Sequence, residues 1–259
     1  MTTPTATQVL DPVRFEAPLA NPSPNGLYPV TQWSADDAVP RWLASGVQVR
    51  PHNYGGASAF GVWAAEWCDA EPGDLKTGDR PNPDTDPFDP ITVWAFDECD
   101  LTAPSQDEVR VRVQQNLRLL EQVAVEREIA ARLIADAPAG PAPGDLVAAV
   151  GHLEAELAKT DTLGFIHASA GVASAAARDN LIIRTGSTSK TPLGHTWVFG
   201  GGYVDGLGKA LIATSPTFGW RDEVVVRETV DAPSNRFLAI AERSVVIGWE
   251  SAIATAWLT

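Results

Sequence analysis

The histidines, cysteines and glycine clusters of this chain are the residues whose types could do chemistry, and their spacing argues against each chemistry in turn. His52, His152, His167 and His195 fall in different predicted elements, without an HExxH pair or any other metal-ligand spacing. Ser169 sits in HASAG, which lacks the glycine two residues before the serine that a nucleophile elbow requires. Cys68 and Cys99 are the only cysteines. They are too few for a disulfide scaffold and carry no nucleophile signature, so free thiols are expected. Gly200, Gly201 and Gly202 follow a predicted strand, and Gly206, Gly208 and Lys209 echo the end of a phosphate-binding loop. Ala210 stands where a serine or threonine would hold magnesium, so a tight hairpin-tip turn is the expectation. The acidic stretch 69–89 lacks the carboxylate spacing and closing glutamate of a calcium loop. No catalytic residue, cofactor site or metal site is expected.

The elements that would position any site are more informative. From Ser105 to about Asp136 the chain reads as one unbroken helix. Pro104 stands at its start, Ser105 is the expected cap, and Glu108 completes a capping box. Val109, Val113, Leu117, Leu120, Ile129 and Leu133 form the expected apolar stripe, with charged residues elsewhere. Such a helix is nearly 50 Å long at about 1.5 Å per residue. A compact chain of 259 residues has a radius of gyration near 18 Å, so the helix would cross the whole molecule. A flat or elongated subunit with the helix as its spine follows.

The net charge of −14 argues against a nucleic-acid reader and against binding to a membrane surface. No apolar run approaches a membrane span, and MTTPTATQVLDPVRF does not read as a secretory signal. The apolar fraction of 44% provides for a sizeable core. Residues 1–45 read as a proline-rich arm with Tyr28 and Trp33 as apolar anchors. Residues 47–67 read as strand, 69–89 as a polar loop and 91–96 as strand, together an extended hairpin leaving the body at about 54–92. Asp145 is expected to cap a second helix carrying Leu146, Val150, Leu153 and Leu157. A third helix is expected from about His167 to Arg178, ending at Asn180. The remainder reads as strands: 181–184, 195–199, 210–213, 223–230, 237–242, 245–247 and a last one near the end.

This order of parts, in an α+β chain, resembles the major capsid proteins of tailed bacteriophages, which share the Hong Kong 97-like fold. Four segments carry the resemblance: DPITVWAFDECD (89–100) leading into the helix with Glu126 and Arg127, LGFIHASAGVAS (163–174), TPLGHTWVFGGGY (191–203) and ALIATSPTFGWRDEVVVRET (210–229). The resemblance implies an N-terminal arm at 1–45 and a strand with extended loop at 46–92. It implies a peripheral domain at 93–144 and 223–259 with the spine helix, and an axial domain at 145–222.

The function implied is self-assembly into the icosahedral shell around the double-stranded DNA of a tailed phage. The partners implied are further copies in hexamers and pentamers, a separate scaffolding protein, a portal, a decoration protein, and packaged DNA bound without sequence specificity. No membrane is among them. The site would be a virion capsid assembled in the host cytoplasm. Subunit contacts would involve Tyr28 and Trp33 of the arm, Phe60, Trp63, Trp67, Lys76 and Arg80 of the loop, and Gly201, Gly202 and Tyr203 at the axial tip. A Lys76–Asn235 cross-link between subunits is conceivable on the same resemblance. An encapsulin shell with a cargo enzyme is the alternative within this fold. A cytosolic α+β hydrolase or binding protein is the alternative outside it.

Overall fold

A computed structural model describes residues 13, 15–34, 42–63, 68, 75–79 and 85–259. In chain order the elements are β1 (Gln32–Trp33), α1 (Trp42–Ser45), β2 (Ile91–Asp100), α2 (Ala103–Asp136), α3 (Leu146–Ala158), β3 (Phe165–Ser169), α4 (Ala173–Arg178), β4 (Ile183–Thr185), β5 (Thr188–Lys190), β6 (Thr196–Gly200), α5 (Tyr203–Gly206), β7 (Ala210–Thr214), β8 (Thr217–Arg221), β9 (Val225–Asp231), β10 (Arg236–Trp249) and β11 (Ala252–Trp257). They build a five-stranded sheet, β1-β8-β10-β2 with β9 also on β10, and a six-stranded sheet, β11-β7-β3-β6-β5-β4.

The spine helix α2 is 34 residues long. It begins earlier than the serine cap predicts. Thr102 is the N-cap, and Asp100 Oδ1 accepts from its backbone N at 2.8 Å and its hydroxyl at 2.6 Å. Pro104 lies in the first turn, where its missing N–H costs nothing, and Ser105 is already helical.

The buried stripe steps strictly by four: Val109, Val113, Leu117, Glu121, Val125, Ile129, Leu133. Steps of four drift around the helix by about 40° each, so the stripe winds with the twisted sheet beneath it. Leu120 is therefore not on it. Its side chain is 61% exposed, and Glu121 takes the position that a three-residue step would have given to leucine. The stripe packs on β2 and β10 over Val93, Phe237, Ala239, Ala241 and Val245.

The six-stranded sheet has two covered faces, and strand alternation sorts its residues between them. Val198, Ala210 and Ile212 face the core beneath α2 and α5. Ile166, Ala168, Trp197, Leu211 and Ala213 face a second core beneath α3 and α4. α3 is capped as the sequence predicts, Asp145 Oδ1 accepting from Ala148 N at 2.8 Å. The predicted helix at 167–178 is a strand for its first three residues. β3 lies in the sheet interior between β6 and β7, and only a 3-10 turn and the short α4 follow, ending at Asn180 with φ 57°.

The terminal residues divide between the sheets. β8 belongs with β10, and β11 leaves the five-stranded sheet to pair with β7. The last strand belongs to the body assigned to 145–222, and residues 217–221 belong to the sheet under α2.

The predicted strand at 47–67 is absent from the described residues. Antiparallel pairing there is confined to Val47 and Phe88, which exchange hydrogen bonds of 3.0 and 2.8 Å and close the base of the extended loop. Phe88 is the wedge at that base. It meets Trp249 edge-on at 4.8 Å, and Arg132 of α2 lies over its other face at 4.7 Å. Glu250 holds the first limb by accepting from the backbone of His52 and Asn53.

Truncation should separate a leucine on the stripe from the one beside it. Leu133→Ala, fully buried in the wild type, is expected to cost about 2–5 kcal/mol in urea unfolding of the chain. Leu120→Ala should stay within about 0.5 kcal/mol. Equal losses would place Leu120 in the core after all.

Candidate functional site

The polar residues of the chain converge on one place, the middle of α2. Glu126 is fully buried there. Its Oε1 accepts from Leu27 N of the arm at 2.9 Å, and its Oε2 accepts from Gly202 N at 2.9 Å. The Gly201 N–H and the Gln122 amide are further donors. Burial pushes the carboxyl above the usual carboxylate range, and the donors pull it back down.

The glycine-rich turn is thus an anion cradle of backbone N–H groups, and the anion is the chain's own side chain. This corrects the hairpin-tip expectation. The turn joins β6 to α5 and lies against the spine. A Cβ on Gly202 would sit 2.1 Å from Val123 O, and one on Gly200 would sit 2.8 Å from Glu126 Oε2. Gly206 makes the same close approach to Ala130.

The arm docks along the same helix. Gln122 receives Tyr28 N and donates to Asn25 O, a two-way clamp on the backbone. Gln115 donates to Ala20 O at 2.7 Å. Tyr28 packs edge-on to Trp33 at 4.9 Å and donates its hydroxyl to Glu121 Oε1 at 2.8 Å. Trp33 closes the loop through Nε1 to Tyr28 O. Gly26 turns with φ 97°, where a side chain would strike Gln122 and Glu126. Tyr28 and Trp33, expected at a subunit contact, make these contacts within the chain and stay partly exposed.

A second buried chain lies under α5. Thr214 Oγ1 donates to Ser215 O at 2.8 Å, which leaves that hydroxyl an acceptor for His167 Nε2 at 2.9 Å. Nε2 therefore carries the proton, and Nδ1 accepts from the Tyr203 hydroxyl at 3.0 Å. Burial lowers His167 to about 3, so the ring is neutral. Burial and the Glu126 charge raise Tyr203, so its hydroxyl keeps its proton. Tyr203 and Gly202 are interior residues, not the axial contacts expected of them, and Gly201 alone of that trio is exposed. His195 is also buried, its Nδ1 accepting from Gly164 N, and Ser169 caps the following turn by accepting from Gly171 N.

Of the loop candidates, Phe60 is 83% exposed and Trp63 lies half-covered beneath Lys76, whose Nζ is 4.7 Å from the ring. Trp67 and Arg80 lie outside the described residues. Sequence reasoning missed an exposed pair on β2, Trp94 and Phe96. They line a groove of about 600 Å³ with Leu120, between β2 and α2. The signal was present in the alternation of ITVWAF, whose Val93 points inward and whose aromatics point out. Among the described residues no cluster of histidine, cysteine and carboxylate side chains is placed to hold a metal ion, and no helix is long and apolar enough to cross a membrane.

No protein-family model matches the sequence, and no curated protein matches it. Solved structures do match its fold. The capsid of the native GTA particle aligns with a TM-score of 0.55 at 10% identity, covering 99% of this chain and 94% of that one. The capsid of the empty GTA particle gives 0.52 at 12% identity with the same coverage. The holo-SrpI encapsulin complex from Synechococcus elongatus PCC 7942 gives 0.54 at 11% identity, covering 96% and 92%. The α+β architecture is thus the Hong Kong 97-like fold along nearly the whole chain.

Two outcomes test the buried groups. Glu126→Ala orphans at least two backbone donors and should cost about 1–3 kcal/mol for each, with the arm at 15–30 cut earlier in limited proteolysis. Gly202→Ala should destabilise by about 1–3 kcal/mol through overpacking alone. Arm cleavage at the wild-type rate in Glu126→Ala would show that the carboxylate does not hold the arm.

The two titrating groups set opposite pH slopes. His167 has a folded pKa below its unfolded 6.5, so its contribution is complete above 6.5 and is lost as pH falls toward about 3. Glu126 is raised, so its contribution is complete below its ordinary 4.5 and is lost as pH rises through its folded value. The urea midpoint of the wild type should therefore drop more steeply between pH 6.5 and about 3 than that of His167→Gln. Parallel slopes would mean a charged His167 in the folded state.

Proposed function

We propose that the chain is a shell subunit: the major capsid protein of a tailed phage, which assembles with copies of itself into the icosahedral container of a double-stranded DNA genome. The observation that carries this reading is the end-to-end match to the GTA capsid, 99% of this chain against 94% of that one. In this reading the role is structural rather than catalytic. Copies form hexamers and pentamers in the host cytoplasm with a separate scaffolding protein, join a portal, and accept a decoration protein outside.

The body under α2 serves as the peripheral domain and the six-stranded sheet as the axial domain. The extended loop lies over the next subunit. Phe60, Val62 and Leu75 support that role, because they are exposed apolar side chains on a segment that leaves the body. Many modest contacts of this kind add up through multivalency.

The encapsulin reading is supported by the SrpI match at a TM-score of 0.54. Particle contents separate the two. Nuclease-protected DNA marks a phage head, and a co-purifying enzyme marks a compartment.

Expression with and without the candidate scaffold, followed by sedimentation and negative-stain imaging, is expected to show closed particles. Phe60→Asp with Val62→Asp should leave subunit unfolding within about 0.5 kcal/mol of wild type and abolish particles. Monomers that persist with scaffold present, together with a measurable turnover, would end the shell reading.

A further inference from the structure

The chain carries an excess of negative charge, yet three arginines line one pocket of about 600 Å³ on the arm side of α2. Arg118 comes from the helix, Arg221 from the end of β8 and Arg243 from β10, over an apolar floor that includes Leu117 and Val226. Glu121 is the only carboxylate among the lining residues, and it is already engaged. Its Oε1 takes the Tyr28 hydroxyl, and its Oε2 stands 3.5 Å from Arg243 Nη1. Arg243 Nε is buried without a hydrogen-bond partner among the described residues. Arg221 lies over the Trp33 ring at 4.4 Å, and Arg118 reaches only the Asn21 side-chain oxygen. Neither forms an ion pair among the described residues. Guanidinium groups around an apolar floor, one of them held over the Trp33 ring, suit a carboxylate on a segment that also carries an apolar side chain.

The same chain supplies such a segment. Residues 69–89 hold seven carboxylates against Lys76 and Arg80, with the exposed Leu75 among them. Asp79, Asp86 and Asp89 take part in no ion pair among the described residues. Within one subunit the end of this segment is held far from the pocket. Arg132 donates to Asp86 O and Pro87 O, and Arg132 lies fourteen residues beyond Arg118, about 21 Å along the helix.

We propose that the Arg118–Arg221–Arg243 pocket is a docking site for the acidic loop segment 69–89 of a second copy of this chain. It deepens the shell reading, on which it rests, by naming the pocket that receives the neighbour's loop and the charge that selects it. An aspartate of the entering segment pairs with Arg221 and Arg118 in the pocket mouth, and Leu75 offers apolar contact to the floor.

The test titrates a synthetic peptide of residues 69–89 into the full-length, unassembled chain by calorimetry at low salt. Binding is expected, weakening as salt rises. It should weaken by roughly tenfold or more in Arg118→Ala with Arg221→Ala, and disappear when the peptide's aspartates become asparagine. Absent binding, or binding indifferent to the two arginines, overturns the proposal. So does arginine-dependent binding of inorganic phosphate without binding of the peptide, which would make the pocket a small-anion site.

In assembly, Arg118→Glu with Arg221→Glu should lower particle yield, and adding Asp74→Arg with Asp79→Arg to the same chain should restore it. Unchanged yield in the arginine reversals overturns the docking proposal and leaves the shell reading standing. If the wild type forms no particles under any condition, the peptide titration alone decides the pocket.

Discussion

A carboxylate with no cation beside it, buried in the middle of a long helix, is the constraint around which this subunit is organised. Removing an ionised side chain from water costs several kcal/mol even after relaxation, so Glu126 is tolerable only where donors converge on it. Those donors are backbone N–H groups from two distant segments, Leu27 in the arm and Gly201–Gly202 in the turn after β6. The dependence runs both ways. The carboxylate is satisfied only when arm, helix and turn are all in place, and its bonds add to the Gln115, Gln122 and Tyr28 contacts that hold the arm on the helix. The glycines follow from the same demand, since a Cβ at position 200 or 202 would occupy the space of the carboxylate or the helix backbone.

From this point the order spreads in both directions. The turn leads directly into Tyr203, whose hydroxyl donates to His167 Nδ1, while Nε2 of the same ring donates to Thr214. That chain passes from α5 through β3 to β7, across the sheet that separates the two cores. β10 carries order the other way. Its fourteen residues pair with β2 on one side and with β9 and then β8 on the other. After two further residues the chain crosses to the second sheet as β11. The spine helix and this crossing strand bind two differently built bodies into one unit without a flexible linker between their cores.

How much of this could be read from the residues depends on whether the signal was local. The spine helix, the Asp145 cap and the Asn180 stop were legible because each rests on residues within one or two turns. The strand β3 was not, because Ala168, Ser169 and Ala170 favour a helix locally and only burial between β6 and β7 makes the segment extended. β8 hid for a related reason: Gly219 interrupts the β-branched pattern, and its bareness is what lets Trp33 lie against it at 2.7 Å from where a Cβ would be. The segment from Val47 looked like a strand because it is aromatic and β-branched, but it finds a partner only at Val47. Of the site, the glycines were visible and their ligand was not. Glu121 and Glu126 read as solvent-facing charges, since nothing near them in sequence reveals that Tyr28 and Leu27 fold back over them.

With the arm docked on its own helix, Tyr28 and Trp33 are half-buried, and Gly202 and Tyr203 are buried. What the folded body leaves uncovered is of two kinds. One is apolar side chain: Trp94, Phe96 and Leu120 along the groove between β2 and α2, Phe60 and Val62 in the loop, and Phe15 and Leu19 ahead of the docked part of the arm. The other is unpaired charge of opposite sign on the loop and beside the arm. Apolar surface gives attraction without register, while charge gives register and excludes like-charged neighbours at modest net energy. If copies assemble as proposed, this division is physically apt: the α2 body fixes the distance between contact regions, the loop supplies burial, and the arginines beside the arm give the register.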